Sequence, residues 1–262
     1  MKLIKEEKIS KNLNSPSRYD FSVAGIGLYL IKVAARAKGE KQISHINSDD
    51  DDLRVEIDGR KFPKLENNQV YLGAPASFSG GQLHDLFKSV YFFVYLSDNR
   101  HSLALVPDGS PFVDSFSIWF IGDQLSHVDF GLNDRAEDGD RRPWLTFALV
   151  DLPLVNFVAE SKTERRFPDS DDVKLIIDGE IKRNYRNGFR KLWFWVGAIL
   201  KGQAQLNIFQ TGLASGLHYV EFWADRMPTL LNINFDFGQD TKRIPTVYDP
   251  KWNGNYLFRS RH

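Results

Sequence analysis

Three blocks of this sequence recur in the same order at nearly constant spacing, so the chain must fold as two copies of one unit that closes within about 115 residues. Phe21–Gln42, FSVAGIGLYLIKVAARAKGEKQ, aligns without a gap with Leu145–Arg166, LTFALVDLPLVNFVAESKTERR, at an offset of 124, placing Ala35, Lys38 and Glu40 on Ala159, Lys162 and Glu164. Asp49–Gly59, DDDDLRVEIDG, aligns with Asp169–Gly179, DSDDVKLIIDG, at an offset of 120. His101–Ile118 falls on His218–Phe235 at an offset of 117, with His, Asp and Pro matched.

Each block has the period of a strand. In LRVEIDG, Leu53, Val55 and Ile57 alternate with Arg54, Glu56 and Asp58, as in a strand with one face in a core and one in water. The Asp-Gly that follows is a turn signal. Val90–Leu96 (VYFFVYL) and Leu192–Val196 (LWFWV) are short and rich in β-branched and aromatic residues, so both are expected as central strands covered on both faces. Helix is expected only as a single turn within Gly81–Lys88. The sequence therefore predicts an all-β protein of two tandem, jelly-roll-like β-sandwich modules. Their expected bounds are 21–122 and 144–238, with an N-terminal extension 1–20, a polar linker or surface loop 123–143 and a C-terminal tail 239–262. Between Phe92 and His101 the first copy has fewer residues than the second has between Phe194 and His218, so about 15 extra residues are expected within Ala198–Gly216, as a functional loop or an extra hairpin.

Composition narrows the partners. With 34 Lys+Arg against 34 Asp+Glu, no bulk charge steers the chain to nucleic acid or an anionic membrane, so no nucleic-acid partner is expected. No cysteine is present, which excludes disulfides, thiolate metal sites and cysteine nucleophiles. No run approaches the ~18 apolar residues of a membrane helix, and MKLIKEEKIS lacks a signal peptide's apolar stretch, so no membrane insertion is expected.

Several clusters carry candidate chemistry. Asp49, Asp51 and Asp52, with Asp169, Asp171 and Asp172 in the second copy, form the densest acidic feature, read as a Ca2+ site or as a solvated turn that starts a strand. Trp193, Trp195 and Tyr91 are candidates for a platform on which sugar rings stack, against the alternative of core aromatics. Asn207 and Gln210 are amides able to hydrogen-bond sugar hydroxyls, and Trp252, like Trp144 and Trp223, is placed in or near a loop. His101 and His218 begin equivalent strands that Asp108 and Asp225 end; about 23 Å separates residues seven apart in a strand, too far for an acid–base couple, so the histidines are read as turn caps. No nucleophile elbow, HExxH or dinucleotide fingerprint is present, and the Gly-rich Phe78–Gln82 lacks the lysine of a phosphate loop.

The stretches GLYLIKVAARA (Gly27–Ala37), DDLRVEIDG (Asp51–Gly59) and HSLALVPDGSP (His101–Pro111) together resemble the carbohydrate-binding modules and galactose-binding-like jelly rolls attached to bacterial glycoside and cell-wall hydrolases. The resemblance implies sugar binding on a sheet face or in the loops at one end, calcium near the sandwich edge, an extracellular or cell-surface setting, and a catalytic domain in a longer native chain. The resulting expectation is a non-catalytic module that binds polysaccharide or cell-wall glycan. Its rivals are a structural or protein-interaction module, such as an adhesin or spacer, and a glycan-active enzyme using two carboxylates in a cleft between the modules.

Overall fold

The computed structural model describes residues 1–43, 49–97, 99–123 and 126–238. The first copy contains β1 (Lys2–Asn12), β2 (Ser17–Ser22), β3 (Gly27–Arg36), β4 (Asp52–Ile57), β5 (Arg60–Lys61), β6 (Phe78–Ser79), α1 (Gly80–Leu83), β7 (Lys88–Leu96), β8 (Arg100–Asp108) and β9 (Phe112–Gly122). The second contains β10 (His127–Arg135), β11 (Arg142–Lys162), β12 (Asp172–Ile177), β13 (Glu180–Ile181), β14 (Trp195–Val196), α2 (Gly197–Leu200), β15 (Ala204–Asp225) and β16 (Thr229–Asp236).

The two copies have one topology. In the first, a sheet ordered β1-β9-β3-β7 faces a sheet ordered β2-β8-β4-β5. In the second, β10, β16, the second half of β11 and the first half of β15 pair in the same order. Its facing sheet is the first half of β11, the second half of β15, β12 and β13. Thus β11 and β15 each do the work of two strands of the first copy. Both cross from one sheet to the other at a kink where a residue has positive φ, Asp151 (55°) in β11 and Gly212 (60°) in β15, and the β11–β15 register shifts around it.

These pairings correct the sequence reading in four places. Residues 1–20 are no extension, since β1 and β2 are integral strands of the two sheets. The stretch 123–143 is no simple linker, since β10 lies within it and pairs along β16. The segment Leu192–Val196 is not the counterpart of Val90–Leu96: only Trp195 and Val196 are strand, and they pair with β12 as Phe78 and Ser79 pair with β4. The first half of β15 is the true counterpart of β7, so the extra residues expected within Ala198–Gly216 vanish. Last, Asp51 N donates to Lys38 O and Asp171 N to Glu164 O, so Lys38 corresponds to Glu164, two residues beyond the alignment drawn from sequence. A slip of two leaves every side chain on its own face of the pleat, which is why the pattern alone did not expose it.

Local physics is likewise duplicated. Asp58-Gly59 and Asp178-Gly179 form two-residue turns with both φ positive (52° and 77°; 51° and 82°), the conformation that matches strand twist in a hairpin. Each copy has a one-turn helix that starts on a glycine pressed against backbone: a Cβ on Gly80 would lie 2.0 Å from Lys38 O, and one on Gly197 2.2 Å from Glu164 O. The glycine-rich Phe78–Gln82 thus serves close packing.

The modules are joined by a parallel ladder between β7 and the first half of β11, from Leu145↔Ser89 to Leu149↔Phe93. As read from sequence, β7 is buried on both faces. Val90, Phe92, Val94 and Leu96 enter the first core, while Tyr91 and Phe93 enter the second with Leu28 and Leu30 of β3. Across the joint, Arg60 donates two hydrogen bonds to Asp151 (2.6 and 2.9 Å) and Tyr219 Oη donates to Pro63 O (2.8 Å).

The glycine contacts give a direct test. Gly197→Ala should destabilise the protein by about 2–4 kcal/mol in chemical denaturation. Gly25→Ala, where an added Cβ meets nothing within 4 Å, should stay within ~0.5 kcal/mol of the parent.

Candidate functional site

Side chains of β15 alternate strictly: Val220, Phe222 and Ala224 enter the second core, so Tyr219, Glu221 and Trp223 point from the opposite face. The loop joining β5 to β6 reaches over that face and encloses a cleft of about 160 Å3 between the modules. The first module lines it with Lys64, Glu66 and Gln82, the second with Asp178, Glu221 and Trp223.

Beside the cleft, burial dominates the electrostatics. Lys88 is fully enclosed, and its Nζ donates to Pro75 O (2.6 Å) and Ser77 O (2.8 Å). Burial lowers its pKa to about 8, opposed by the charge of Glu221. Burial raises the pKa of Glu221; Lys88 and a hydrogen bond from Trp223 Nε1 (3.2 Å) oppose this, and the charges of Glu66 and Asp178 add to it. An amine and a carboxylate removed from water are thus balanced against each other across the joint.

Continuing along the same face, Trp223 stands opposite Lys174 in the β12–β15 ladder. Lys174 Nζ lies 4.8 Å from the ring centre of Trp193 and 5.4 Å from that of Trp223. Burial first, then the charge of Arg141, lowers the Lys174 pKa. Both indoles are half-buried. Trp193 is set by its loop: Asn187 Nδ2 donates to the carbonyls of Trp193 (2.8 Å) and Phe194 (3.0 Å), and Asn184 Nδ2 also donates to Phe194 O (3.0 Å).

The residues singled out from sequence separate into several environments. Trp195 and Tyr91 are core: Trp195 is fully buried with Nε1 donating to Gln205 O (3.0 Å), and Tyr91 stacks on Phe147 at 4.9 Å. They share no platform with Trp193, because β14 turns Trp195 inward. Trp144, expected near a loop, is buried in β11 and donates to Asp134 Oδ1 (2.8 Å). Asn207 and Gln210 lie in β15, in strand and not in a loop; Gln210 is exposed and Asn207 half-buried. Trp252 lies outside the described residues. Trp223 was noted only for its position, and Glu66, Lys88, Lys174 and Glu221 were missed. Glu221, a lone acid among Val220, Phe222 and Ala224, was the one signal available.

The acidic clusters anchor backbone. Asp51 Oδ1 accepts Ser110 N (2.7 Å) and Asp171 Oδ1 accepts Met227 N (3.2 Å) and Arg166 Nε (2.8 Å). Asp52 and Asp172 accept the N–H of Gly80 (3.1 Å) and Gly197 (2.9 Å), the first residues of the two short helices. Asp49 is exposed and Asp169 half-buried. Among the described residues, no three carboxylate or imidazole side chains are grouped to hold a metal ion. His101 and His218 are tied in parallel fashion, Nδ1 to Asp58 (2.7 Å) and Asp178 (2.8 Å), Nε2 to the carbonyls of Ser97 (3.0 Å) and Ala214 (2.6 Å). The other oxygens of Asp58 and Asp178 accept the next backbone N–H, so these histidines do cap turns. Burial, the largest single influence, lowers both histidine pKa values, but the bonds to Asp58 and Asp178, the bonds to the Ser97 and Ala214 carbonyls and the aspartate charges together outweigh it, and the net shift is upward.

No family model matches the chain, and no curated protein matches its sequence. Among solved structures it is similar to the ANXUR2 extracellular domain from Arabidopsis thaliana, at 8% identity and a TM-score of 0.28, over 88% of this chain and 83% of that one. It is also similar to the dimeric latent PorU from Porphyromonas gingivalis, at 11% identity and a TM-score of 0.28, over 87% of this chain and 19% of that one. A third likeness is to the Sulfolobus Turreted Icosahedral Virus structure, at 10% identity and a TM-score of 0.27, over 91% of this chain and 61% of that one.

The strand ladders also set carboxylates in opposition, Asp52 across from Asp108 and Asp172 across from Asp225. Burial, followed by neighbouring acids, pushes Asp225 up to about 6, and burial pushes Asp172 up to about 6 as well. In the unfolded chain Asp225 titrates near 3.8, so its ionisation penalty in the fold is absent below that pH and complete above about 6. Asp225→Asn should therefore stabilise the protein at pH 7.5, by about 1 kcal/mol after solvent screening, with the gain fading toward pH 4 when denaturation is followed at both pH values.

Proposed function

We propose that this chain is a non-catalytic binding protein whose ligand is a glycan, held along Trp223 and Trp193 and reaching into the cleft between the modules. The observation that carries the reading is the placement of Trp223, which lines the cleft and stands in register with Lys174 on an outward sheet face. An indole offers an apolar face to the CH groups of a pyranose, while Lys64, Glu66 and Gln82 across the cleft offer donors and acceptors for its hydroxyls. Trp193 extends the aromatic surface along the same face, with Lys174 between the two rings. This reading places the protein at a cell surface or outside the cell, where polysaccharide and cell-wall glycan are found, and is compatible with attachment to a catalytic domain.

Binding should be measured by calorimetry and tryptophan fluorescence against soluble polysaccharides and peptidoglycan fragments. A saturable response weakened about tenfold or more by Trp223→Ala, with Trp195→Phe leaving affinity unchanged, is the expected result. Binding that is indifferent to both Trp223→Ala and Gln82→Ala would remove the cleft from consideration.

A further inference from the structure

The loop joining β13 to β14 carries an unusual surface. Within residues 182–191 lie Lys182, Arg183, Arg186, Arg190 and Lys191 and no acid, in a chain whose 34 basic and 34 acidic residues balance overall. Lys182 pairs with Glu180 (2.7 Å) and Arg190 with Asp172 (3.2 Å), leaving Arg183, Arg186 and Lys191 without an ion pair among the described residues. Between them stand apolar side chains bare to solvent: Phe189 is 93% exposed, Tyr185 72% and Leu192 41%. The side chain of Asn184 accepts Arg186 N (3.2 Å), and Gly188 turns through φ 59°, so the tip has a defined shape.

The first module shows what this loop does when covered. Its equivalent, between β5 and β6, lies on the second module and is fixed there through Pro63 and Tyr219. That loop balances Lys64 against Glu66, whereas the charged residues of its counterpart are all basic and its apolar side chains stay exposed.

We infer that the loop 182–192 docks on an anionic lipid surface, with Phe189, Tyr185 and Leu192 entering the headgroup region and the free cations pairing with lipid phosphates. Arg183, Arg186 and Lys191 supply the attraction, and bare aromatic and aliphatic side chains find at the interface the apolar depth they lack in water. The Arg190 guanidinium lies 5.9 Å from the centre of Phe189 and Lys191 Nζ 5.9 Å from that of Tyr185, so cations and apolar rings form one mixed surface, the pairing that the interface of an anionic bilayer accommodates. The inference is independent of glycan binding in the cleft.

The test is co-sedimentation of the full chain with vesicles of phosphatidylcholine alone and of phosphatidylcholine mixed with phosphatidylglycerol, at physiological salt. The chain should sediment with the anionic vesicles only. Arg183→Gln with Arg186→Gln should weaken this roughly tenfold or more, and Phe189→Ser should weaken it as well, with melting temperature unchanged because these side chains are exposed. Absence of sedimentation with anionic vesicles overturns the inference. So does vesicle binding unaffected by Phe189→Ser, or binding to heparin or an oligonucleotide that the arginine variants abolish while no vesicle is bound.

Discussion

Everything else in this molecule depends on the parallel ladder between β7 and the first half of β11. It converts the edge of one sandwich into the middle of a sheet shared by both, and obliges β7 to be apolar on both faces, with Phe92 in one core and Phe93 in the other. Burial of an aromatic side chain contributes about 1.5–3 kcal/mol, so the second face of β7 stabilises the joint strongly. The cleft is a by-product of the same geometry. Once β11 lies beside β7, the β5–β6 loop has only the outer face of β15 to cover, and it covers part of it.

Where the joint ends, polar chemistry takes over. Arg60 grips Asp151 at the kink of β11, Tyr219 reaches Pro63, and Lys88 and Glu221, both buried, oppose each other's desolvation through their charges. Removing one member of such a set leaves the other's charge or hydrogen bond unmet, so these groups fix how the modules meet more than how firmly they hold. The His101–Asp58 and His218–Asp178 pairs do a more local job, closing the same turn twice.

Much of this was legible in the residues. Alternation of Leu53, Val55 and Ile57 gave strands, Asp58-Gly59 and Asp178-Gly179 gave hairpins, and the paired histidines gave capped turns, because each rests on a rule confined to neighbouring residues. The double burial of Val90–Leu96 was legible from its uninterrupted apolar run. What failed was register and long-range pairing. Lys38 was matched two residues early because a slip of two preserves the pleat, and Trp195 was mistaken for a strand-core residue of β7 type because a large aromatic at a short β-rich run has no address of its own. Strand β10 is hidden by its surroundings: Val128, Phe130 and Leu132 alternate toward the core, but they sit in an Asp- and Arg-rich stretch that reads as loop. The cleft was illegible because Glu66 comes from a loop without periodicity and meets Glu221 only after the modules have joined.

The order of the repeats along the chain matters while the protein is being made. A ribosome releases the first module before the second exists. Until residues 145–149 emerge and the second core closes, β7 presents an unpaired edge, with Tyr91, Phe93, Leu28 and Leu30 facing solvent. A bare aromatic strand edge is what neighbouring nascent chains pair with. The fifty or so residues between β7 and its partner therefore set an interval of vulnerability on each polysome, and slow translation through the polar stretch 123–143 would lengthen it.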